Sequence, residues 1–465
     1  MAAPSTASSR SLAPIRPRVV VLGGGVGGLA ATRHLDRLFG ESADVVLVSR
    51  DNFFLLSPLL FEACSGVLEL RHCAQPIRPC LRRARFVEAT VDHVDVERRV
   101  VHAVPAEGAR FELPYDHLVV ALGASTNFAL IPGSEHAWTF KTVADAYLLR
   151  NHVIERFERA EVETDPRRRQ QLLTIVVIGG GLVGVELLGE LTAFAADVMR
   201  YYPGIKREEM RYHLFEVGER LLPESTPKLG DYAARILRRR GAELHTSTAV
   251  QAIEPGAVRS KEGVIEADTI VLAAGIVPSA VASAMAVERD RRGRIVTDPT
   301  MRSVSHPSVW VIGDCASIPG PDGKPYPALA QHAIREARTV AANVRAAVDG
   351  RAPAAFVFRS LGTMAAFGHT RAAADVRGLF LTGFIAWWMR RTYYLFQMPR
   401  WDTRLRIALD WTISLFFRPD LTKVDPAVER EQERRNCAAG ASPALPAGER
   451  RPEAAAGPSR ALTGV

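Results

Sequence analysis

Apolar and polar positions fall in blocks along this chain, and one block occurs twice. Residues 19–22 form a short apolar run against a glycine cluster, too brief for a helix, and read as a buried parallel strand. Gly23, Gly25 and Gly28 follow at G-x-G-x-x-G spacing, and a helix is predicted from about Val26. The pattern returns at residues 174–191, TIVVIGGGLVGVELLGEL, with Gly179, Gly181 and Gly184 at the same spacing. Further strands are predicted at residues 45–48, twice within 85–101, at 115–123, at 212–215 ending before Glu216, at 269–275 ending at Gly275, and at 309–312. The last runs into Gly313-Asp314, with a helix starting near Pro327. Residues 141–172 have helical period, and 165–171 (DPRRRQQ) read as a solvated linker.

In each glycine cluster the first glycine allows a tight turn, the second lets backbone approach a pyrophosphate, and the third lets helix pack on strand. The helix that follows points its positive end at the phosphates. Two such units in one polypeptide predict an α/β fold with two dinucleotides bound. The return of Gly313-Asp314 late in the sequence makes the first domain discontinuous, with the second inserted into it.

Composition narrows the picture only slightly. At 465 residues the chain has room for two or three domains, and its net charge of +8 fits an anionic membrane surface, nucleic acid or an anionic cofactor equally. The five cysteines show no C-x-x-C pair and no zinc spacing, so a reducing compartment is expected and no metal ligand set is predicted. No apolar run reaches the ~18 residues of a spanning helix. The first 16 residues lack a signal-peptide core and read as a disordered arm, with a transit peptide as the alternative. Residues 426–465, rich in Ala, Pro, Glu and Arg, read as a disordered tail.

The segments VVVLGGGVGGLAA, NFFLLSPLLFEACSG, GGGLVGVELLGEL, VWVIGDCA and PALAQHAIREARTVAANV together resemble the type II NADH:quinone oxidoreductases, within the two-dinucleotide-binding pyridine nucleotide–disulfide oxidoreductase flavoproteins. The resemblance implies FAD on the first loop and NADH on the second. It places FAD against Gly23, Gly25, Val26, Gly27 and Gly28, Ser49 and Arg50, Val91, Ala121 and Gly123, Asp314, and Ala330-Gln331. It places NADH against Gly179, Gly181, Gly184, Glu216 and Gly275. Ser49 stands where an acid often holds the adenosine ribose, a departure from the usual pattern. Glu186 is the implied catalytic or relay residue at the nicotinamide–flavin contact. Gln331 is implied at the quinone side, where an amide can orient a carbonyl. Glu190 is expected either to pair with Glu186 or to face solvent. Cysteines are absent between Cys80 and Cys315, so electrons are expected to pass without a thiol relay.

The implied reaction carries a hydride from NADH to FAD and two electrons to a membrane quinone, without proton pumping. Its rivals are a soluble flavin reductase of an iron–sulfur protein and an NADH-binding regulatory flavoprotein resembling apoptosis-inducing factor. Expected boundaries are 17–145 with 296–355 for FAD, 146–295 for NADH, and 356–425 for amphipathic helical membrane attachment. On a helix, Asp402, Arg406, Asp410 and Ser414 make one polar stripe in an otherwise apolar surface, with Arg390 and Arg391 among the arginines expected to meet lipid headgroups. This predicts a peripheral protein on the cytoplasmic face of the inner (plasma) membrane. A homodimer interface is the alternative use of that surface, and nucleic acid is not an expected partner.

Overall fold

The computed structural model describes residues 16–418 and 420–423; the expected tail at 426–465, and all but the last residue of the expected arm, lie outside them. Strand β1 (Arg18–Leu22), helix α1 (Val26–Phe39) and strand β2 (Asp44–Ser49) open the first unit. Helix α2 (Leu60–Cys64) and strands β3 (Arg85–Glu88) and β4 (His117–Val120) follow. Helix α3 (Val143–Val162) leads to β5 (Thr174–Ile178), α4 (Leu182–Val198), β6 (Arg211–Phe215), α5 (Pro227–Arg239), β7 (Ala242–His245) and β8 (Thr269–Leu272). The chain then returns through β9 (Val309–Val311) and α6 (Ala330–Val348).

Two parallel sheets result. The first has the order β9-β4-β1-β2-β3, and the second runs β8-β5-β6-β7 with the short strand Trp138–Thr139 beside β8. Their central strands are buried on both faces, which is why β1 and β5 read as unbroken apolar runs rather than alternating ones. The first sheet takes β9 from beyond the second, so it is built from sequence on both sides of the insertion. Each sheet also carries a three-stranded antiparallel meander, Thr90–Asp95 onward in one and Val250–Glu254 onward in the other. The first meander explains why residues 85–104 hold three strands, not the two expected through 101.

Two expectations are corrected. Residues 165–171 are not a linker: Asp165 caps a helix over Pro166–Leu172, and Arg167, Arg168 and Arg169 pair with Glu266, Asp268 and Glu209. The C-terminal region is not helical throughout. Strands β10 (Gly362–Ala366), β11 (Ala372–Val376) and β12 (Leu379–Thr382) form an antiparallel sheet, its small alanines buried, before helices α7 (Gly383–Gln397) and α8 (Trp401–Phe416).

Candidate functional site

The two glycine loops have one geometry. Gly23 and Gly179 sit at φ +102° and +116°, a region that favours glycine. A Cβ on Gly28 would lie 1.8 Å from the Gly23 carbonyl oxygen, and one on Gly184 would lie 1.8 Å from that of Gly179. The strand after each meander locks its loop in the same way: Ala121 N–H donates to Leu22 (2.9 Å) and Ala273 N–H to Ile178 (2.8 Å). Gly123 and Gly275, at φ +64° and +68°, turn the chain away beyond those strands. Gly25 and Gly181 cap α1 and α4 without side-chain help, so each helix presents backbone N–H groups. Around Gly25 a Cβ would meet nothing within 4 Å, an open cradle of the kind an FAD pyrophosphate fills.

At the second loop a carboxylate already stands there. Leu182 N–H, the first of α4, donates to Glu224 Oε1 at 3.0 Å. Glu216, at the end of β6, accepts from Gly180 N–H (2.6 Å) and Gly218 N–H (2.7 Å) and so ties the glycine loop to the strand end. Its counterpart in the first unit is Ser49, buried with Oγ 2.7 Å from where a Gly24 Cβ would stand. Arg50 pairs with Asp51 at 3.2 Å on the surface. Val91 is buried in the first meander.

Helix α6 closes the first loop from the late half of the chain. Gly27 leaves room for it, since a Cβ there would meet Ile312 at 3.3 Å and Ala333 at 3.6 Å. Glu336 of α6 is buried and accepts Gly313 N–H at 2.8 Å, which fixes the turn that presents Asp314. Burial pushes the Glu336 pKa up to about 7 and raises that of Asp314, whose counter-charge is Lys141. Gln331, on the first turn of α6 beside Ala330, donates through Nε2 to Ser360 Oγ (3.1 Å) and Gly362 O (3.3 Å), so it is bound to the entry of β10. His332 packs against the rings of Tyr326 and Phe358, and burial pushes its pKa down to about 4.

The densest part of the site joins five elements, α2, α4, β10, α7 and α8. Glu186 on α4 is buried and accepts Ala366 N–H of β10 at 2.8 Å and the Arg390 guanidinium of α7 at 2.9 Å. Glu62 of α2, also buried, pairs with Arg391 at 3.0 Å, lies 3.7 Å from Arg390, and accepts Trp411 Nε1–H of α8 at 2.6 Å. Glu190 accepts the Ser65 hydroxyl at 2.6 Å. It therefore neither faces solvent nor pairs with Glu186. Burial, with Glu62 nearby, raises Glu190 to about 7; burial also raises Glu186, against the pull of Arg390. Gly189 completes the joint, because a Cβ there would sit 2.7 Å from the Phe367 backbone. Arg390 and Arg391 are thus turned inward and do not meet headgroups, contrary to the sequence reading.

Glu62, Glu224 and Glu336 were not singled out in the sequence. Glu62 did leave a trace as a single acid inside the apolar run 53–64, and Arg390-Arg391 interrupts another such run. Charges placed so require buried partners. Among the described residues the cysteines are all free, and burial pushes the Cys73 and Cys315 thiols to about 12. Such thiols are poorly suited to a relay.

Residues 17–337 match the family model for pyridine nucleotide-disulphide oxidoreductases. The type II NADH:quinone oxidoreductase Ndh of Mycobacterium tuberculosis is 31% identical over 421 residues, covering 86% of this chain and 88% of that protein. The mitochondrial internal alternative NAD(P)H-ubiquinone oxidoreductase A1 of Arabidopsis thaliana is 31% identical over 444 residues, covering 88% and 86%. Among solved structures, NDH2 from Plasmodium falciparum in complex with NADH superposes with a TM-score of 0.81 at 20% identity, over 88% of this chain and all (100%) of that one.

Proposed function

The chain belongs to the pyridine nucleotide-disulphide oxidoreductase family and, within it, to the type II NADH:quinone oxidoreductases, and from that membership we propose that it oxidises NADH and reduces a membrane quinone through FAD, without pumping protons. The observation that carries this reading is the paired loop geometry, two phosphate cradles in one chain, the first open and the second occupied by Glu224. The first suits a dinucleotide that stays bound, and the second one that comes and goes.

The chemistry a bound flavin supplies is two-electron storage between nicotinamide and quinone. Residues 17–145 and 296–355 would hold it. Gly23, Gly25, Val26, Gly27 and Gly28 receive its pyrophosphate, Ser49 and Arg50 its adenosine ribose, and Asp314 its ribitol. Val91, Ala121, Gly123 and Ala330 complete the wall. Residues 146–295 would hold NADH, with Gly179, Gly181, Gly184 and Gly275 lining its course and Glu216 at its ribose. Glu186 orients the contact between nicotinamide and flavin. Gln331, its amide N–H groups held by Ser360 and the Gly362 carbonyl, stands at the quinone side, and residues 356–425 bring that side to the membrane.

The membrane contact has its own support. Phe384, Ile385, Trp388 and Phe396 on α7, and Leu405, Leu409, Ile413 and Phe416 on α8, are each more than half exposed, from 52% at Leu405 to 79% at Phe416. They recur at helical spacing, one stripe per helix, while Thr403, Ile407 and Trp411 take the buried side of α8. Burying four or five such side chains is worth on the order of 6–15 kcal/mol before immersion costs. Among the described residues no helix is long and apolar enough to cross a membrane, so the stripe would lie in the surface plane; the face we propose is the cytoplasmic one of the inner (plasma) membrane. A soluble flavin reductase has no use for it. NADH oxidation by the purified protein, with and without a short-chain quinone, tests the reading. Quinone should raise the rate severalfold; an equal rate without it would exclude this assignment.

A further inference from the structure

Away from both loops, two imidazoles and a carboxylate face one another at the outer edge of the second sheet. The parallel register sets His213 of β6 beside Glu243 of β7, and Phe215 beside His245. Side chains two apart on a strand share a face, so His213, Glu243 and His245 emerge together. His213 Nδ1 lies 3.1 Å from His245 Nε2 and 3.7 Å from the nearer Glu243 oxygen, and all three donor atoms fall within 4.8 Å of one another. Among the described residues this is the one cluster of three or more such groups.

The surroundings prepare the pair for a cation. His245 Nδ1 stands 2.7 Å from Glu262 Oε2, and Glu262 Oε1 accepts the Thr248 hydroxyl at 2.6 Å. A proton on Nδ1, held by that carboxylate, leaves the Nε2 lone pair directed at His213. This is the arrangement by which carboxylates orient metal-binding histidines. Phe215 stacks on the His245 ring at 4.4 Å and fixes its plane. His213 is buried, so its ring is held in place by its neighbours. Glu243 is largely exposed and gives solvent access.

We propose that His213, Glu243 and His245 bind a divalent cation of the zinc class. Nitrogen ligands ~2.0–2.1 Å from a tetrahedral zinc lie ~3.3 Å apart, close to the separation of the two imidazoles. Imidazole donors favour such metals over magnesium or calcium. Three protein ligands leave a fourth position for water. The ligands come from two strands and have no motif spacing; the sheet register alone assembles them. A cation here ties β6 to β7 just before Glu216.

Calorimetric titration of ZnCl2 into the tag-free, FAD-loaded full-length protein, with MgCl2 as control, tests this. One zinc should bind per chain, magnesium should give no heat, and zinc should raise the thermal midpoint. His245→Ala and Glu243→Gln should each weaken zinc about tenfold or more, and Glu262→Gln, a positioning change, by about tenfold. Because Glu243 is exposed, Glu243→Gln keeps the fold even if a histidine variant does not. No saturable zinc binding, or binding unchanged in Glu243→Gln, overturns the proposal.

Discussion

Arg390 of the C-terminal helix α7 places its guanidinium 2.9 Å from the Glu186 carboxylate on the second-loop helix, and both groups are buried. A residue expected at a lipid headgroup is therefore the counter-charge of the proposed nicotinamide-side acid. Breaking a buried pair by removing one partner typically costs ~3–5 kcal/mol, whereas removing both leaves no orphaned charge. Arg390→Met should therefore destabilise the protein by about that amount. The double variant with Glu186→Gln should lose less than the sum of the two single changes. Strictly additive losses in denaturant unfolding would dismiss the pairing as a stabilising contact.

Glu186→Gln alone should keep FAD and slow flavin reduction by NADH on the order of 10–100-fold, the scale of a misplaced reacting geometry. Gln331→Ala should leave that half-reaction intact and slow reoxidation by quinone. Stopped-flow absorbance of the flavin separates the two steps. Unchanged rates in both variants would remove both roles.

Glu190 gives a pH signature. Its carboxyl rises from 4.5 to about 7, first through burial and then through Glu62. Between those values the folded chain keeps a proton that the unfolded chain has released. Stability is thus full below about 4.5 and declines as pH climbs toward 7. Glu336, raised by burial to about 7, adds a decline of the same sign. Glu190→Gln cannot charge, so its thermal midpoint should fall less across that window. Parallel midpoint curves for variant and wild type would refute the shift.

The second loop predicts nucleotide preference and affinity together. Glu216 would repel a 2′-phosphate, and Arg220 cannot rescue it, because its guanidinium donates to the carbonyls of Leu222, Pro223 and Ser225. NADH should be preferred to NADPH. Glu224→Gln removes a competing charge at the helix end, worth ~0.3–1 kcal/mol, and should lower KM for NADH about two- to fivefold. Steady-state kinetics with both nucleotides checks each claim. Equal kcat/KM for NADH and NADPH would end the first, and an unchanged KM the second.

The membrane face must be tested by substitution, not by truncation. Deleting the chain from residue 379 would strip Glu62 and Glu186 of their arginines and confound binding with folding. Leu405→Asp with Ile413→Asp changes only exposed positions. The double variant should stay folded and yellow but remain in the supernatant with anionic vesicles that sediment the wild type. Co-sedimentation of both would redirect the stripe to an interface between two copies.

The glycine loops, the strand ends at Glu216 and Gly313-Asp314, and both parallel sheets were legible because each depends on local spacing and on runs buried on both faces. The alanine-rich sheet around β10 and β11 was not, since small buried residues give no alternation. Glu190 was misjudged because helical period says which face a residue takes, not what covers that face. Here the cover is α2, more than a hundred residues earlier, and Ser65 supplies its hydrogen bond. Arg390 and Arg391 were misassigned for the same reason. An arginine beside tryptophans suits a membrane surface and a buried ion pair alike, and only the fold chooses.

The joint between α2, α4 and α7 also sets an order of events during synthesis. Glu62 and Glu186 leave the ribosome early, whereas the arginines that neutralise them arrive more than three hundred and about two hundred residues later, respectively. Until then neither carboxylate can be desolvated cheaply. Nascent chains therefore carry an unfinished, wet seam between α2 and α4 until α7 emerges. The seam between α2 and α4 thus closes only once translation has passed α7.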